Sequence, residues 1–387
     1  MLENLMSERV KSLPPSVIRR FYDQLPGSDN LISLGIGEPG FPTPPRIREA
    51  AIREIEKGYV KYTRSLGMPE LRQELSQYLK KRYGLEYDPD SELVITGGVG
   101  QGLDLLFRAI INPGDEVILP EPHYASYPPR ITLSGGVAVT VSTTEENNFE
   151  ITATDIEARV TSKTKAILLN YPTNPTGAVM PRDKLLQIAE VAKRHNLPII
   201  SDEIYSKLVY GVEHTCIATL PSMKEQTILL DGFSKAYAMA GWRVGYIAAI
   251  KEIISSVLST LQYTMLCIST VCQAAALEAL RTGDEDAEEM VKEYNKRRLL
   301  IIKGLNDIGL SCYESRGAFY AFPSIKSTGM SSLEFAEKLL KEELVVVIPG
   351  TAYGKAGEGY IRCTYTPPLP DIEEALVRME RFVKRYT

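Results

Sequence analysis

Five short apolar runs fix the kind of sheet this chain can build. They are Leu93-Val94-Ile95-Thr96, Glu116-Val117-Ile118-Leu119, Ala166-Ile167-Leu168-Leu169, Pro198-Ile199-Ile200-Ser201 and Thr227-Ile228-Leu229-Leu230. None alternates clearly between apolar and polar side chains. Each therefore reads as a strand buried on both faces, as in a parallel sheet covered by helices. Helical periodicity fills the intervals. The clearest helix runs from about Arg182 to His195, where Leu185, Leu186, Ile188, Ala189 and Ala192 form one stripe and Pro198 closes the segment. Strands alternating with helices predict an α/β domain with a mainly parallel sheet.

The rhythm changes in the last hundred or so residues. A long charged helix is expected from about Asp284 to Asn306, with short strands near Ala318–Phe322 and Val345–Ile348. A final helix is expected to start near Asp371, with Glu374 as its capping-box partner. These elements predict a second, smaller α+β domain. The N-terminal stretch, rich in Pro14, Pro15, Pro39, Pro42, Pro44 and Pro45, is expected to pack with it as an arm. The expected division is 1–45 for the arm and part of the small domain, 46–285 for the large domain and 286–387 for the C-terminal part of the small one.

Composition narrows the partners. A net charge of -5 over 387 residues gives no reason to expect nucleic acid or an anionic membrane. Cys216, Cys267, Cys272, Cys312 and Cys363 form no CxxC pair, and the histidines are scattered, so neither a disulfide framework nor a zinc site is expected. Met1-Leu2-Glu3-Asn4-Leu5 opens no apolar signal region, and no apolar run reaches the ~18 residues of a membrane span. The expectation is a soluble protein in a reducing cytoplasm.

One lysine stands out by its neighbours. Lys235 lies in Asp231-Gly232-Phe233-Ser234-Lys235-Ala236-Tyr237-Ala238-Met239-Ala240-Gly241-Trp242-Arg243, with an arginine eight positions on. That spacing suits a lysine that forms a Schiff base while nearby groups hold a phosphate. An amine must lose its proton before it attacks a carbonyl, and burial or a neighbouring cation favours the neutral form. Arginine stays charged and forks onto phosphate. Taken alone, Lys235 reads as a solvated surface lysine.

Four further clusters lie where strands end or loops begin, the places where α/β sheets bind ligands. Thr96-Gly97-Gly98-Val99-Gly100-Gln101-Gly102-Leu103 carries a strand into a helix start suited to phosphate, or is an ordinary strand-to-helix turn. Its third glycine falls one place early for a dinucleotide fingerprint. Asn170-Tyr171-Pro172-Thr173-Asn174-Pro175-Thr176-Gly177 is either a Pro-Gly turn or a rigid loop presenting the Asn174 amide. In Ser201-Asp202-Glu203-Ile204-Tyr205, a buried Asp202 needs a partner, for which a protonated ring nitrogen would serve. Tyr205 can donate to a phenolate; the alternative is an N-cap aspartate with a packed tyrosine. Arg362, on the apparent strand Tyr360-Ile361-Arg362-Cys363, needs a carboxylate from a substrate or from a structural ion pair. Gly350-Thr351-Ala352-Tyr353-Gly354-Lys355-Ala356 is one residue short of a P-loop and lacks its hydroxyl.

Together these clusters resemble the class I aminotransferases, fold type I enzymes dependent on pyridoxal 5'-phosphate. The resemblance runs from about Val10 to the C-terminus and includes Gly35-Ile36-Gly37-Glu38-Pro39, Lys61-Tyr62-Thr63, Pro69-Glu70-Leu71-Arg72, Asn174-Pro175-Thr176-Gly177, Asp202-Glu203-Ile204-Tyr205, Ser234-Lys235, Gly241-Trp242-Arg243 and Arg362. It implies a three-layer domain plus a smaller α+β domain built from both ends of the chain. It implies Lys235 as the Schiff-base lysine and proton carrier, and Asp202 as partner of the pyridine N–H. Tyr205 and Asn174 would bond the phenolate oxygen, and Tyr124 would stack on the ring. Ser234, Arg243 and the amides near Val99 and Gly100 would hold the phosphate. Arg362, helped by the Gly37 backbone, would clamp the substrate carboxylate. Tyr62 would reach the neighbouring subunit's cofactor, which implies a homodimer with interfacial sites.

Some positions depart from the pattern. Gly232 stands where many members carry a second phosphate-binding serine, and Gly100 likewise offers only its backbone. Tyr124 replaces a tryptophan common in aspartate-specific members, and no clear second arginine is found for a side-chain carboxylate. Ala318-Phe319-Tyr320-Ala321-Phe322-Pro323 and Pro15-Ser16-Val17-Ile18-Arg19 look closest to a broad-specificity aspartate, aromatic, alanine and N-acetyl-diaminopimelate branch. The implied reaction moves an amino group from an L-amino acid to a 2-oxo acid, 2-oxoglutarate in the first instance, by a ping-pong route. A lyase on the same fold would use the same residues. A pyridoxal-binding regulator would need a helix-turn-helix domain ahead of Val10.

Overall fold

A computed structural model of the protein describes residues 5–15, 17 and 30–387. Strand β1 (Ile32–Ser33) comes from the N-terminal segment. The next seven form the central sheet: β2 (Leu93–Thr96), β3 (Glu116–Glu121), β4 (Val137–Ser142), β5 (Thr164–Leu169), β6 (Ile199–Asp202), β7 (Thr227–Gly232) and β8 (Gly245–Ala248). Their order is β2-β8-β7-β6-β5-β3-β4, and only β8 runs antiparallel to its neighbours.

The five runs read from the sequence are β2, β3, β5, β6 and β7. Burial on both faces explains their unbroken apolar character. Ile167 and Leu169 of β5 share a cluster with Leu185, Ile188 and Ala192 of the helix Arg182–Arg194. Ala166 and Leu168 of the same strand join Leu103 and Leu106 of the helix Val99–Ile110 and Val257 and Leu261 of the helix Lys251–Thr264. Alternate residues of one strand thus feed two helical layers. Strands β4 and β8 escape the sequence reading. The first lies at the sheet's edge, is only partly buried and carries a weaker apolar signal. The second is reversed and opens on Gly245, which leaves three apolar residues within its bounds.

Both ends of the chain build the smaller sheets. Strands β9 (Tyr320–Ala321), β10 (Val345–Val346), β11 (Ile348–Pro349) and β12 (Ile361–Thr364) follow the long helix Asp284–Asp307. β1 pairs in parallel with β10, Ile32 opposite Val345, and β11-β12-β9 form an antiparallel sheet. The strand expected at Val345–Ile348 is therefore two, serving different sheets on either side of Val347. The final helix spans Leu369–Tyr386. It begins before Asp371, because Pro368 at the cap and Pro370 in the first turn preset the backbone there, and no side chain caps it. At the N-terminus the Arg9 guanidinium donates to the Leu133 carbonyl at 3.1 Å, so this part of the arm touches a helix flanking the central sheet. Ser16, Ile18 and Arg19 of the Pro15–Arg19 motif lie outside the described residues. Among the described residues no helix is long and apolar enough to cross a membrane, and no cluster of His, Cys, Asp or Glu could hold a metal ion.

The carboxyl ends of β2 and β7 meet β8 with no side chain between them. Gly232 pairs with Gly245 across β7 and β8. A Cβ on Gly232 would come within 2.9 Å of the Gly245 Cα, and one on Gly245 within 2.9 Å of the Gly98 and Val99 backbone. Such contacts are closer than real Cβ atoms make, and backbone cannot yield as a flexible side chain can. Gly245→Ala is expected to lower unfolding stability by about 1–3 kcal/mol. A urea denaturation midpoint equal to that of the parent chain would contradict this packing.

Candidate active site

The carboxyl ends of the parallel strands bring the sequence candidates together. β7 ends at Gly232, and the turn after it carries Ser234, which is buried, and Lys235, which is partly buried. Lys235 Nζ donates to the Gly37 carbonyl at 2.6 Å and lies 5.6 Å from the centre of the Phe319 ring. Burial, followed by the positive charge of Arg362, brings its pKa down to about 8; Arg243 adds to this, while Glu38 and Asp202 oppose it. The Gly37 segment is anchored on the same turn. Thr43 donates to the Ala238 carbonyl at 2.6 Å and accepts from the Trp242 indole at 2.9 Å. A cleft of about 410 Å³ opens beside it, lined in part by Glu38, Phe41, Thr43 and Trp242.

Asp202 closes β6 and is buried. The Tyr127 hydroxyl donates to its Oδ2 at 2.7 Å, and the Ile204 N–H donates to Oδ1 at 3.2 Å. Burial raises the Asp202 carboxyl to about 6 despite these donors. Three residues on, the Tyr205 hydroxyl shares a 2.7 Å hydrogen bond with the Tyr320 hydroxyl, and burial pushes its pKa well above the usual phenol value.

Asn174, in the loop after β5, accepts at Oδ1 from Arg362 Nη1 at 3.1 Å. Arg362 Nη2 donates to the Gly35 carbonyl at 2.5 Å, and its guanidinium lies 4.4 Å from the Tyr320 ring centre. Arg362 therefore sits on β12 in a cage of carbonyl, amide and aromatic faces.

The glycine-lined start of the helix Val99–Ile110 forms another wall. Gly98 precedes it at φ 81, a backbone conformation that side chains rarely adopt. The exposed Arg243 donates from Nη2 to the Gly97 carbonyl at 3.3 Å and from Nη1 to the Ala240 carbonyl at 2.9 Å. It therefore stands beside the Gly97–Gly98 turn that leads into Val99. Tyr124, after β3, packs edge-on to Tyr127 with ring centres 5.4 Å apart. Tyr62 is not brought to this site. It is 84% exposed and lies with Val60 and Lys61 beside Ile268 and Thr270.

Several residues in this arrangement had no role in the sequence reading. Tyr127 meets Asp202, and Tyr320 meets Tyr205 and Arg362. Asn170 donates from Nδ2 to the Asp202 carbonyl at 3.0 Å and accepts from the Asn174 N–H at 3.1 Å. Tyr127 lies three residues beyond Tyr124 and opens the helix Tyr127–Leu133, and Asn170 opens the same loop as Asn174, so both had a local signal. Tyr320 had none linking it to the site. The loop after Pro349 is shut by the protein itself, since the Lys355 and Ala356 N–H groups donate to the Glu121 carboxylate at 3.1 and 3.3 Å.

This geometry can hold an anion, lower the basicity of an amine and clamp a carboxylate. The pattern of the family "Aminotransferase class I and II" matches residues 29–379. The aspartate aminotransferase of Pyrococcus abyssi is 44% identical, with 98% of each chain covered. The aromatic-amino-acid aminotransferase 2 of Thermococcus litoralis is 43% identical, again over 98% of each chain. The crystal structure of the aromatic aminotransferase from Pyrococcus horikoshii OT3 superposes with a TM-score of 0.90 at 42% identity, covering 95% of this chain and 99% of that one. The chain belongs to the class I and II aminotransferases, a pyridoxal-phosphate-dependent family of transferases of nitrogenous groups.

Proposed function

We propose that this enzyme binds pyridoxal 5'-phosphate and moves the amino group of an L-amino acid to a 2-oxo acid, with 2-oxoglutarate as acceptor. The observation behind this reading is Lys235, in the turn after β7, whose Nζ is set against the Gly37 carbonyl and whose pKa is brought down to about 8 by burial first and the Arg362 charge second. The residues present fit the cofactor. Asp202 is a buried carboxylate that makes no ion pair among the described residues, so a ring N–H⁺ is the partner that offsets its burial. Arg362 occupies the Asn174 amide oxygen, which leaves the amide nitrogen, like the Tyr205 hydroxyl, as a donor. They would hold the ring oxygen, with Tyr124 against the ring. Arg243, Ser234 and the Val99 and Gly100 amides would hold the phosphate.

When bound, the cofactor supplies an electron sink for the charge left at the substrate Cα. The chain supplies the rest. Lys235 Nζ attaches the cofactor and, once displaced, carries the Cα proton. Arg362 forks onto the substrate carboxylate and, with the Gly37 backbone, sets its orientation.

Further parts of the same proposal rest on the site's setting. A homodimer would give the exposed Tyr62 a phosphate to reach on the neighbouring subunit. The division at 45/46 and 285/286 is supported by the pairing of β1 with β10. Its boundary is not a gap in packing, since Tyr205, Leu208 and Tyr210 share an apolar cluster with Phe319, Tyr365 and Phe382. A cytoplasmic location accords with five free cysteines.

Lys235→Ala is expected to abolish covalent attachment of the cofactor and reduce turnover by more than about 100-fold. Normal transfer between amino acids and 2-oxoglutarate by that variant would end the assignment. Lys235 also sets a pH dependence. Its folded pKa lies below the usual 10.5, so the fraction of reactive neutral amine rises with pH through a midpoint near 8 and levels off above it. The rate of cofactor attachment to the full-length protein should follow that curve, and a midpoint near 10.5 would contradict it. Arg362→Lys replaces a fork by a single point of contact. It is expected to raise KM for the amino acid about 10- to 100-fold with a smaller change in kcat. Unchanged steady-state constants would remove Arg362 from the substrate site.

A further inference from the structure

The proposed phosphate site looks underequipped by the family's pattern. Gly232 and Gly100 stand where side-chain hydroxyls would be useful, and the Gly232 surroundings leave no room for one. The space beside Gly100 is different. A Cβ built on Gly100 would lie 2.9 Å from Arg130 Nη2, the tip of a flexible side chain from the helix Tyr127–Leu133. On the other side of the helix start, a Cβ on Gly98 would lie 2.9 Å from Arg243 Nη2. Two guanidinium groups therefore flank the same glycine-lined helix start, one at each glycine.

Arg130 is half-buried and poorly matched to the protein around it. Its side-chain hydrogen bond is a long one, 3.4 Å from Nη1 to the Ser126 carbonyl of its own segment. Among the described residues it makes no ion pair in contact, although its charge reaches the buried Asp202 carboxyl from a distance and counters the rise that burial imposes on that group's pKa. A partly desolvated guanidinium with no carboxylate in contact, next to the N–H groups of a helix start, is matched to an anion with several acceptor oxygens. Tyr127, on the same helix, already meets Asp202. One short helix thus serves both ends of the proposed cofactor site.

We propose that Arg130 is a second phosphate-binding cation, taking the volume that a side chain at position 100 would fill and standing in for the missing hydroxyls. This rests on the reading of the site as a pyridoxal-phosphate site, and it concerns the phosphate alone.

The test measures binding of pyridoxal 5'-phosphate and of unphosphorylated pyridoxal to the full-length protein. Arg130→Ala is expected to weaken the phosphate ester about 10- to 100-fold and to leave pyridoxal within about twofold. Arg130→Lys, which keeps the charge but not the fork, should fall between. Gly100→Ser in the Arg130→Ala background should recover part of the loss, because the space is vacated and a hydroxyl enters it. Thermal unfolding of each variant reads whether it folds, and Arg130→Lys carries the comparison if Arg130→Ala does not. Equal weakening of both ligands, or no weakening of either, would overturn the role of Arg130. Failure of the parent chain to bind pyridoxal 5'-phosphate at all would instead overturn the cofactor reading.

Discussion

The site depends on a backbone contact made possible by three glycines. Gly98, Gly232 and Gly245 let the start of one helix, the end of β7 and the start of β8 approach without side chains between them. β8 is the one reversed strand in the central sheet, and it lies between β2 and β7. It therefore separates the glycine loop after β2 from the Lys235 turn after β7. Had its first residue carried a side chain, those two loops would have been forced apart. The distance between the Lys235 amine and the glycine-lined helix start is thus set by the absence of atoms in the sheet, not by a contact on its surface.

A second constraint ties the two ends of the chain to this frame. Arg362 on β12 donates to Asn174, whose N–H donates to Asn170, whose amide donates to the Asp202 carbonyl, while Tyr127 closes on the Asp202 carboxylate. The path runs from the small antiparallel sheet to the central one through buried groups. Each loses water on folding, so each bond replaces a solvent contact that the interior cannot supply. A network of this kind favours one arrangement, because shifting one member strands its neighbours.

What could be read in advance follows from how local each signal is. β2, β3, β5, β6 and β7 announce themselves because burial on both faces forces continuous apolar runs. The edge strand β4 is released from that demand, and β8, though fully buried, opens on a glycine that breaks its apolar run. Lys235, Asp202 and Asn174 sit in short motifs at strand ends, where residue type and position speak together. Arg130 and Tyr320 do not. Their meaning comes from being opposite Gly100 and Tyr205, at sequence separations no local pattern spans. Asp371 misleads for the opposite reason, since a plausible cap was overruled by the prolines before it.

The arginines of the site act on Lys235 as well as on any ligand. Burial alone would make its amine less basic, and the Arg362 and Arg243 charges press in the same direction. An anion that pairs with Arg362 cancels part of that repulsion. On the proposed reading, a carboxylate bound there would move the Lys235 pKa back toward its ordinary value. Coulomb repulsion across a partly buried site falls slowly enough with distance for this coupling to work without any movement of the chain. A lysine placed alone in the same pocket would have its basicity set by burial and could not respond to what binds beside it.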